Sequence, residues 1–166
     1  MKTFHALFLL VLISGCTALS GKCGIESCHG LDITCGPDIP EMCTELYKLG
    51  DFCREYADCA VINNACQLNA SEKFYACKSC IENCEELYDG PEAFDCESSC
   101  RERMDKYCEE DSDCACGRRI DTNECFYGSK ELVNIEQQCP DYCSGIAGNF
   151  VLKCTDNQCT QVNVLI

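Results

Sequence analysis

Twenty-one cysteines in 166 residues constrain this chain more than any other feature. In an oxidising compartment such a density reads as a disulfide framework, and in a reducing one as a metal or redox protein. The start of the chain decides between them. Lys2 and His5 frame the beginning of an apolar run from Ala6 to Ile13, far short of the roughly 20 residues that span a bilayer. Small residues follow it. That order reads as a secretory signal peptide, and no later apolar run is long enough for a membrane span. The protein is expected to be exported.

Two processing sites compete. Ile13-Ser14-Gly15-Cys16 resembles the lipobox of prokaryotic lipoproteins, an aliphatic residue and two small ones before a cysteine. The resemblance implies that Cys16 is lipidated and begins the mature chain, tethered to a membrane by its acyl chains. The alternative is ordinary cleavage after Ala18-Leu19-Ser20, which would release a soluble protein starting at Gly21. Either way Cys16 leaves the count and twenty cysteines remain, an even number suited to complete pairing.

Such cross-links are needed. The hydrophobic fraction is 46%, but cysteines make up 21 of those residues, and small domains with thin cores depend on staples. The charge is strongly one-sided: all 28 acids lie after residue 15, with only 12 of the 13 lysines and arginines. A surface this acidic excludes nucleic acid, whose phosphates need a basic face, and disfavours docking onto anionic headgroups.

Along the chain, residues 23–36 read as a stapled loop. Pro40 suits a first helical position, so 40–49 is expected to form a short helix ended by Gly50. Asp51 is placed as the cap of a second, over 52–62, with Cys66 in a polar turn. Asn69-Ala70-Ser71 is a glycosylation sequon, usable at Asn69 in a host with that machinery. Ser71 then caps a clear helical face of Phe74, Cys77, Ile81, Cys84 and Tyr88. Gly90 and Pro91 punctuate it before a second helix carrying Phe94, Cys100, Met104 and Tyr107.

Within this segment Cys80 and Cys84 stand four apart, as do Cys96 and Cys100. Positions four apart share a helix face. On antiparallel helices they can face each other as rungs, Cys80 to Cys100 and Cys84 to Cys96, both centred on Gly90. The pattern resembles the twin C-x3-C hairpins of small mitochondrial intermembrane-space chaperones and plant α-hairpinins, which implies a scaffold. After Cys108 the alternation around Asp/Asn turns predicts short β-hairpins at 117–128 and 149–165. Between them Cys139 and Cys143 are expected to come together on one helical turn closed by Gly145.

Candidate chemistry is sparse. The mature chain's single histidine, His29, sits between Cys28 and Gly30 and reads as a surface residue. Cys77-Lys78-Ser79-Cys80 has the spacing of a redox motif but lies inside a helix. Glu109 to Cys116 clusters four acids without the glycine of a calcium loop. No catalytic residue, metal ligand or cofactor is assigned.

The chain is therefore expected to be a small disulfide-rich protein of short helices and an antiparallel helical hairpin, followed by a small C-terminal β-hairpin unit. Its segments are a signal peptide (1–15), a tether (16–22), a cysteine-rich helical and loop unit (23–70), the stapled hairpin (71–107) and a cysteine-rich β-hairpin unit (108–166). Its expected role is that of a non-enzymatic surface protein, lipid-anchored at Cys16, that is structural or binds an extracellular protein. The alternatives are a secreted inhibitor or toxin-like effector, and a thiolate metal-binding protein.

Overall fold

A computed structural model describes residues 22–87 and 90–164. The fold is a small disulfide-rich one of short helices and small antiparallel sheets. Ten disulfides close all twenty cysteines from Cys23 to Cys159, each within 23–77, 80–100 or 108–159. In the chain-entropy view, closing a loop of about 15 residues contributes roughly 3 kcal/mol, and such terms do not simply add.

Two short strands, β1 (Gly24–Ile25) and β2 (Cys35–Gly36), pair at the start. The expected helix over 40–49 does not form: residues 37–48 carry neither helix nor strand. The second expected helix divides into a 3₁₀ turn at Asp51–Tyr56 and a strand, β3 (Ala57–Ile62), paired antiparallel with β4 (Ala65–Ala70). The turn between these strands explains the change. Asn63 and Asn64 both hold positive φ, 52° and 63°, the conformation of a tight hairpin turn that asparagine tolerates. Cys66 is consequently a strand residue, and the 23–70 segment holds a hairpin as well as loops.

The next segment forms two helices, α1 (Glu72–Leu87) and α2 (Pro91–Asp105). The Ser71 hydroxyl accepts from the Phe74 amide at 3.2 Å, a side-chain cap for α1. Phe74, Cys77, Ile81 and Cys84 form its buried face, and Tyr88 lies outside the described residues. On α2 the buried stripe is Ala93, Glu97, Cys100 and Met104, whereas Phe94 is exposed. Two disulfides tie the helices, Cys80–Cys100 and Cys84–Cys96, and Cys53–Cys77 ties α1 to the 3₁₀ turn. The buried core is accordingly half cysteine: Phe52, Phe74, Ile81 and Met104 pack with Cys53, Cys77, Cys84 and Cys100.

The C-terminal part carries a three-stranded sheet ordered β6 (Cys125–Ser129), β5 (Cys114–Arg119), β7 (Val133–Asn134), and a hairpin of β8 (Phe150–Thr155) with β9 (Gln158–Asn163). The short helix α3 (Pro140–Ser144) stands between Cys139 and Gly145. Cys139 and Cys143 come together on this turn, the Cys143 amide donating to the Cys139 carbonyl at 2.8 Å, but they share no disulfide. They bridge outward to Cys125 and Cys116, pinning α3 onto the sheet. No helix among the described residues is long and apolar enough to cross a membrane.

Candidate functional site

The strongest concentration of specific interactions lies around the irregular stretch 37–50. Its middle is stapled by Cys28–Cys43. From there Asp51 organises the base: its carboxylate accepts from the backbone N–H of Gly30 at 2.6 Å and of Lys48 at 2.9 Å, and meets His29 Nδ1 at 2.8 Å. The other ring nitrogen, Nε2, lies 3.0 Å from the Thr44 carbonyl oxygen and 3.4 Å from its hydroxyl. His29 is therefore not the plain surface residue expected, but a strut between Asp51 and the loop. Arg54 holds the arm that carries it, donating to the carbonyls of Ser27 and Gly30.

These contacts account for the missing helix. In a helix the Lys48 N–H would donate to the Thr44 carbonyl. Here Asp51 takes the donor and His29 takes the acceptor, so the turn cannot close on itself.

A second clamp holds the far end. Glu97 of α2 is only 5% exposed, and its Oε1 accepts from the Tyr47 hydroxyl and from the Gly50 amide, the latter at 2.8 Å. Gly50 turns the chain with φ of 84°, and a Cβ there would sit 3.0 Å from Ile81 and Leu31 side-chain carbons, so any other residue would be strained in the backbone and would press both neighbours aside. Burial and the Glu97 carboxylate push the Tyr47 phenol up to about 12. Arg101 backs this corner, stacked 4.2 Å from the centre of the Phe52 ring and reaching the Tyr47 hydroxyl at 3.5 Å. For Asp51, burial alone would raise the carboxyl, but the donors from Lys48, Gly30 and His29 outweigh it and hold it below the ordinary value.

What the clamps hold out is apolar. Met42 is 89% exposed and Leu46 66%, beside a half-exposed Ile39, and Glu41 and Glu45 are exposed between them. No backbone group from 39 to 47 pairs with another backbone group. A partly buried frame thus displays exposed apolar side chains on a stretch whose main chain has no backbone partner, with acids around them.

The other expected sites fall elsewhere. Cys16 lies outside the described residues. Asn69 is exposed on β4, opposite Asp58. Cys77 and Cys80 bridge to different partners, Cys53 and Cys100. In the acidic run, Asp113 accepts from the Glu109 and Glu110 amides and pairs with Lys130, while Asp111 pairs with Lys153 and accepts from the Cys154 amide. The cluster is thus a tied turn. Two sulfur groups, Cys84/Cys96/Cys100 and Cys108/Cys114/Cys159, lie close enough to share an ion, but each sulfur is committed to a disulfide and is no thiolate ligand. Burial lowers the Lys73 amine, which sits 4.4 Å over the Tyr56 ring in a cleft of about 360 Å³ also lined by Glu109, Asp113 and Glu131.

Glu97, Asp51 and Tyr47 are the site residues that sequence reasoning missed. Glu97 alone left a signal: it occupies the stripe Ala93, Glu97, Cys100, Met104, where a charge needs a buried partner. Compared with protein-family models, curated proteins and solved structures, the chain matches none of them.

Proposed function

We propose that this is an exported, cysteine-rich surface protein, lipid-anchored at Cys16, that binds an extracellular protein through the clamped loop 39–48 and is not an enzyme. In this reading α1 and α2 act as an antiparallel, disulfide-stapled helical hairpin that forms the rigid back of the loop. The observation that carries the proposal is the double clamp, Asp51 with His29 at one end and Glu97 at the other. Ordering a loop in advance removes part of the entropic cost of binding. The same contacts favour a structural role for the His29–Asp51 pair, because both ring nitrogens and both carboxylate oxygens are engaged at the loop base. The disulfide framework fits an oxidising, extracellular setting.

The anchor is tested by expression in a bacterial host that processes lipoproteins. The unmodified chain is expected in the detergent phase with a diacylated Cys16, since two acyl chains hold a protein stably where one does not. Cys16→Ser is expected to shift it to the soluble fraction. An intact mass beginning at an unmodified Gly21 would overturn the anchor and leave the secreted alternative.

A further inference from the structure

We infer that the four sulfurs at the base of the β8–β9 hairpin form a thiol-exchange site. An external thiol converts Cys108–Cys154 and Cys114–Cys159 into Cys108–Cys114 and Cys154–Cys159, and so uncouples the hairpin from the rest of the fold. The inference stands apart from loop 39–48 and from the anchor.

Three observations put these sulfurs within exchange range. The Sγ atoms of Cys108, Cys114 and Cys159 all lie within 4.8 Å of one another, although they belong to two different bridges. Cys154 and Cys159 are direct cross-strand partners, joined by a tight turn in which Asp156 and Asn157 hold positive φ, 52° and 57°. Both amides of that pair turn away from the opposite strand. The Cys154 N–H donates to Asp111 Oδ1 and the Cys159 N–H to the Lys106 carbonyl, each at 2.8 Å. This is therefore a non-hydrogen-bonded pair, whose Cα atoms stand about 4.5 Å apart, within the span that a disulfide bridges. The hairpin is shaped to carry a bridge of its own, yet both cysteines are bonded outward.

The exchange balances with no oxidant or reductant. An external thiolate enters at Cys154, which is partly exposed, whereas Cys108 and Cys159 are buried. Its sulfur bonds to Cys154 Sγ, and Cys108 leaves as a thiolate. Cys108 attacks Cys114 Sγ, forming Cys108–Cys114 and expelling the Cys159 thiolate. Cys159 then attacks Cys154 across the strand pair, forming Cys154–Cys159 and returning the external thiolate.

The consequence is topological. Beyond Cys143 the chain holds no cysteines except Cys154 and Cys159. Their bridges, with sequence separations of 46 and 45, are thus the hairpin's only cross-links to the rest, and exchange makes both local. The hairpin is then held by hydrogen bonds through Lys106, Asp111 and Asn157, the Lys153–Asp111 ion pair and packing. It opens without disturbing the stapled segments 23–77 and 80–100.

Disulfide-intact protein is to be incubated at neutral pH with reduced and oxidised glutathione, quenched with acid, alkylated, unfolded and digested with trypsin without reduction. Cleavage after Lys106, Arg118 and Lys153 leaves 154–166 attached to 107–118 through both native bridges. Exchange instead releases 154–166 as a free peptide with an internal bridge. That peptide is expected after thiol treatment and not before it, with Cys116–Cys143 and Cys125–Cys139 retained. The double variant Cys108→Ser, Cys114→Ser is expected to carry Cys154–Cys159 and to exchange its Cys159 amide about tenfold faster through local opening of the hairpin. Continued attachment of 154–166 after thiol treatment, loss of Cys116–Cys143 to the same extent, or unpaired Cys154 and Cys159 thiols in the double variant would each overturn the inference.

Discussion

His29 and Asp51 stand 2.8 Å apart and between them intercept a single helical hydrogen bond, the ring taking the Thr44 carbonyl and the carboxylate taking the Lys48 amide. The sequence 40–49 has the residues of a helix, yet local propensity yields to two side chains brought in from positions 29 and 51. A loop thus stays open because its own helix-forming groups are occupied. Removing the intercepting carboxylate should release them. In Asp51→Ala, hydrogen exchange at the Gly30 and Lys48 amides is expected to accelerate by tenfold or more, since hydrogen bonds to charged groups contribute about 1.5–3 kcal/mol each. Unchanged protection at both amides would show that Asp51 does not hold the loop.

The same carboxylate sets an acid limit on the clamp. Its pKa is held below 3.8 in the fold, so the charged form is the one the fold favours. The contribution is complete above the unfolded value of about 3.8 and is lost as pH falls through the lower folded value. Amide proton shifts of Gly30 and Lys48 should therefore stay constant from neutral pH down to about 4 and titrate together below it. In Asp51→Asn that titration should vanish. Reading these two amides isolates Asp51 from Asp111, Asp113 and Asp121, which are depressed in the same direction. A common midpoint above 3.8 would contradict the clamp geometry.

Glu97 offers a larger effect because it is buried. Replacing it by alanine leaves the half-exposed Tyr47 hydroxyl to water but strips the buried Gly50 amide of its acceptor, and an unsatisfied buried group costs about 1–3 kcal/mol. Tyr47→Phe removes only one donor and leaves the Gly50 bond in place. Denaturant unfolding with disulfides intact should therefore rank Glu97→Ala as clearly more destabilising than Tyr47→Phe. The reverse order would mean that Glu97 is a bystander.

The class of fold was legible because cysteine number is a matter of composition, and burying Phe74, Cys77, Ile81 and Cys84 follows from three- and four-residue spacing that one helix can satisfy alone. The strands at 57–62 and 65–70 were not. Their signal is the Asn63-Asn64 turn, which a helical reading of 52–62 overrode, and pairing across it becomes visible only when both strands are placed. The clamped loop was illegible for a deeper reason. His29, Asp51 and Glu97 lie 22 to 68 positions apart in the chain, and no local pattern announces that they meet around Thr44, Tyr47 and Lys48. Only Glu97, a charge on an apolar stripe, hinted that something polar waited for it in the core.

Crowding of sulfur in the core yields a last prediction. Cys84 Sγ lies 3.6 Å from Cys100 Sγ, although the two belong to different bridges, and both residues are buried. Cys96→Ser would leave Cys84 without its partner. Its thiolate would then stand beside the Cys80–Cys100 bridge and can attack the Cys100 sulfur, forming Cys84–Cys100 and expelling Cys80 as the new thiolate. One disulfide is consumed and one formed, so no oxidant is needed. Cys80 is the less buried of the three, and relocating the free thiol there relieves the core of an ionisable group. Alkylation of native Cys96→Ser protein followed by proteolytic mapping should thus find the label on Cys80, with Cys84 joined to Cys100. The unmutated protein, with all twenty cysteines paired, should take no label. A label on Cys84 with Cys80–Cys100 intact would show that the two bridges do not exchange.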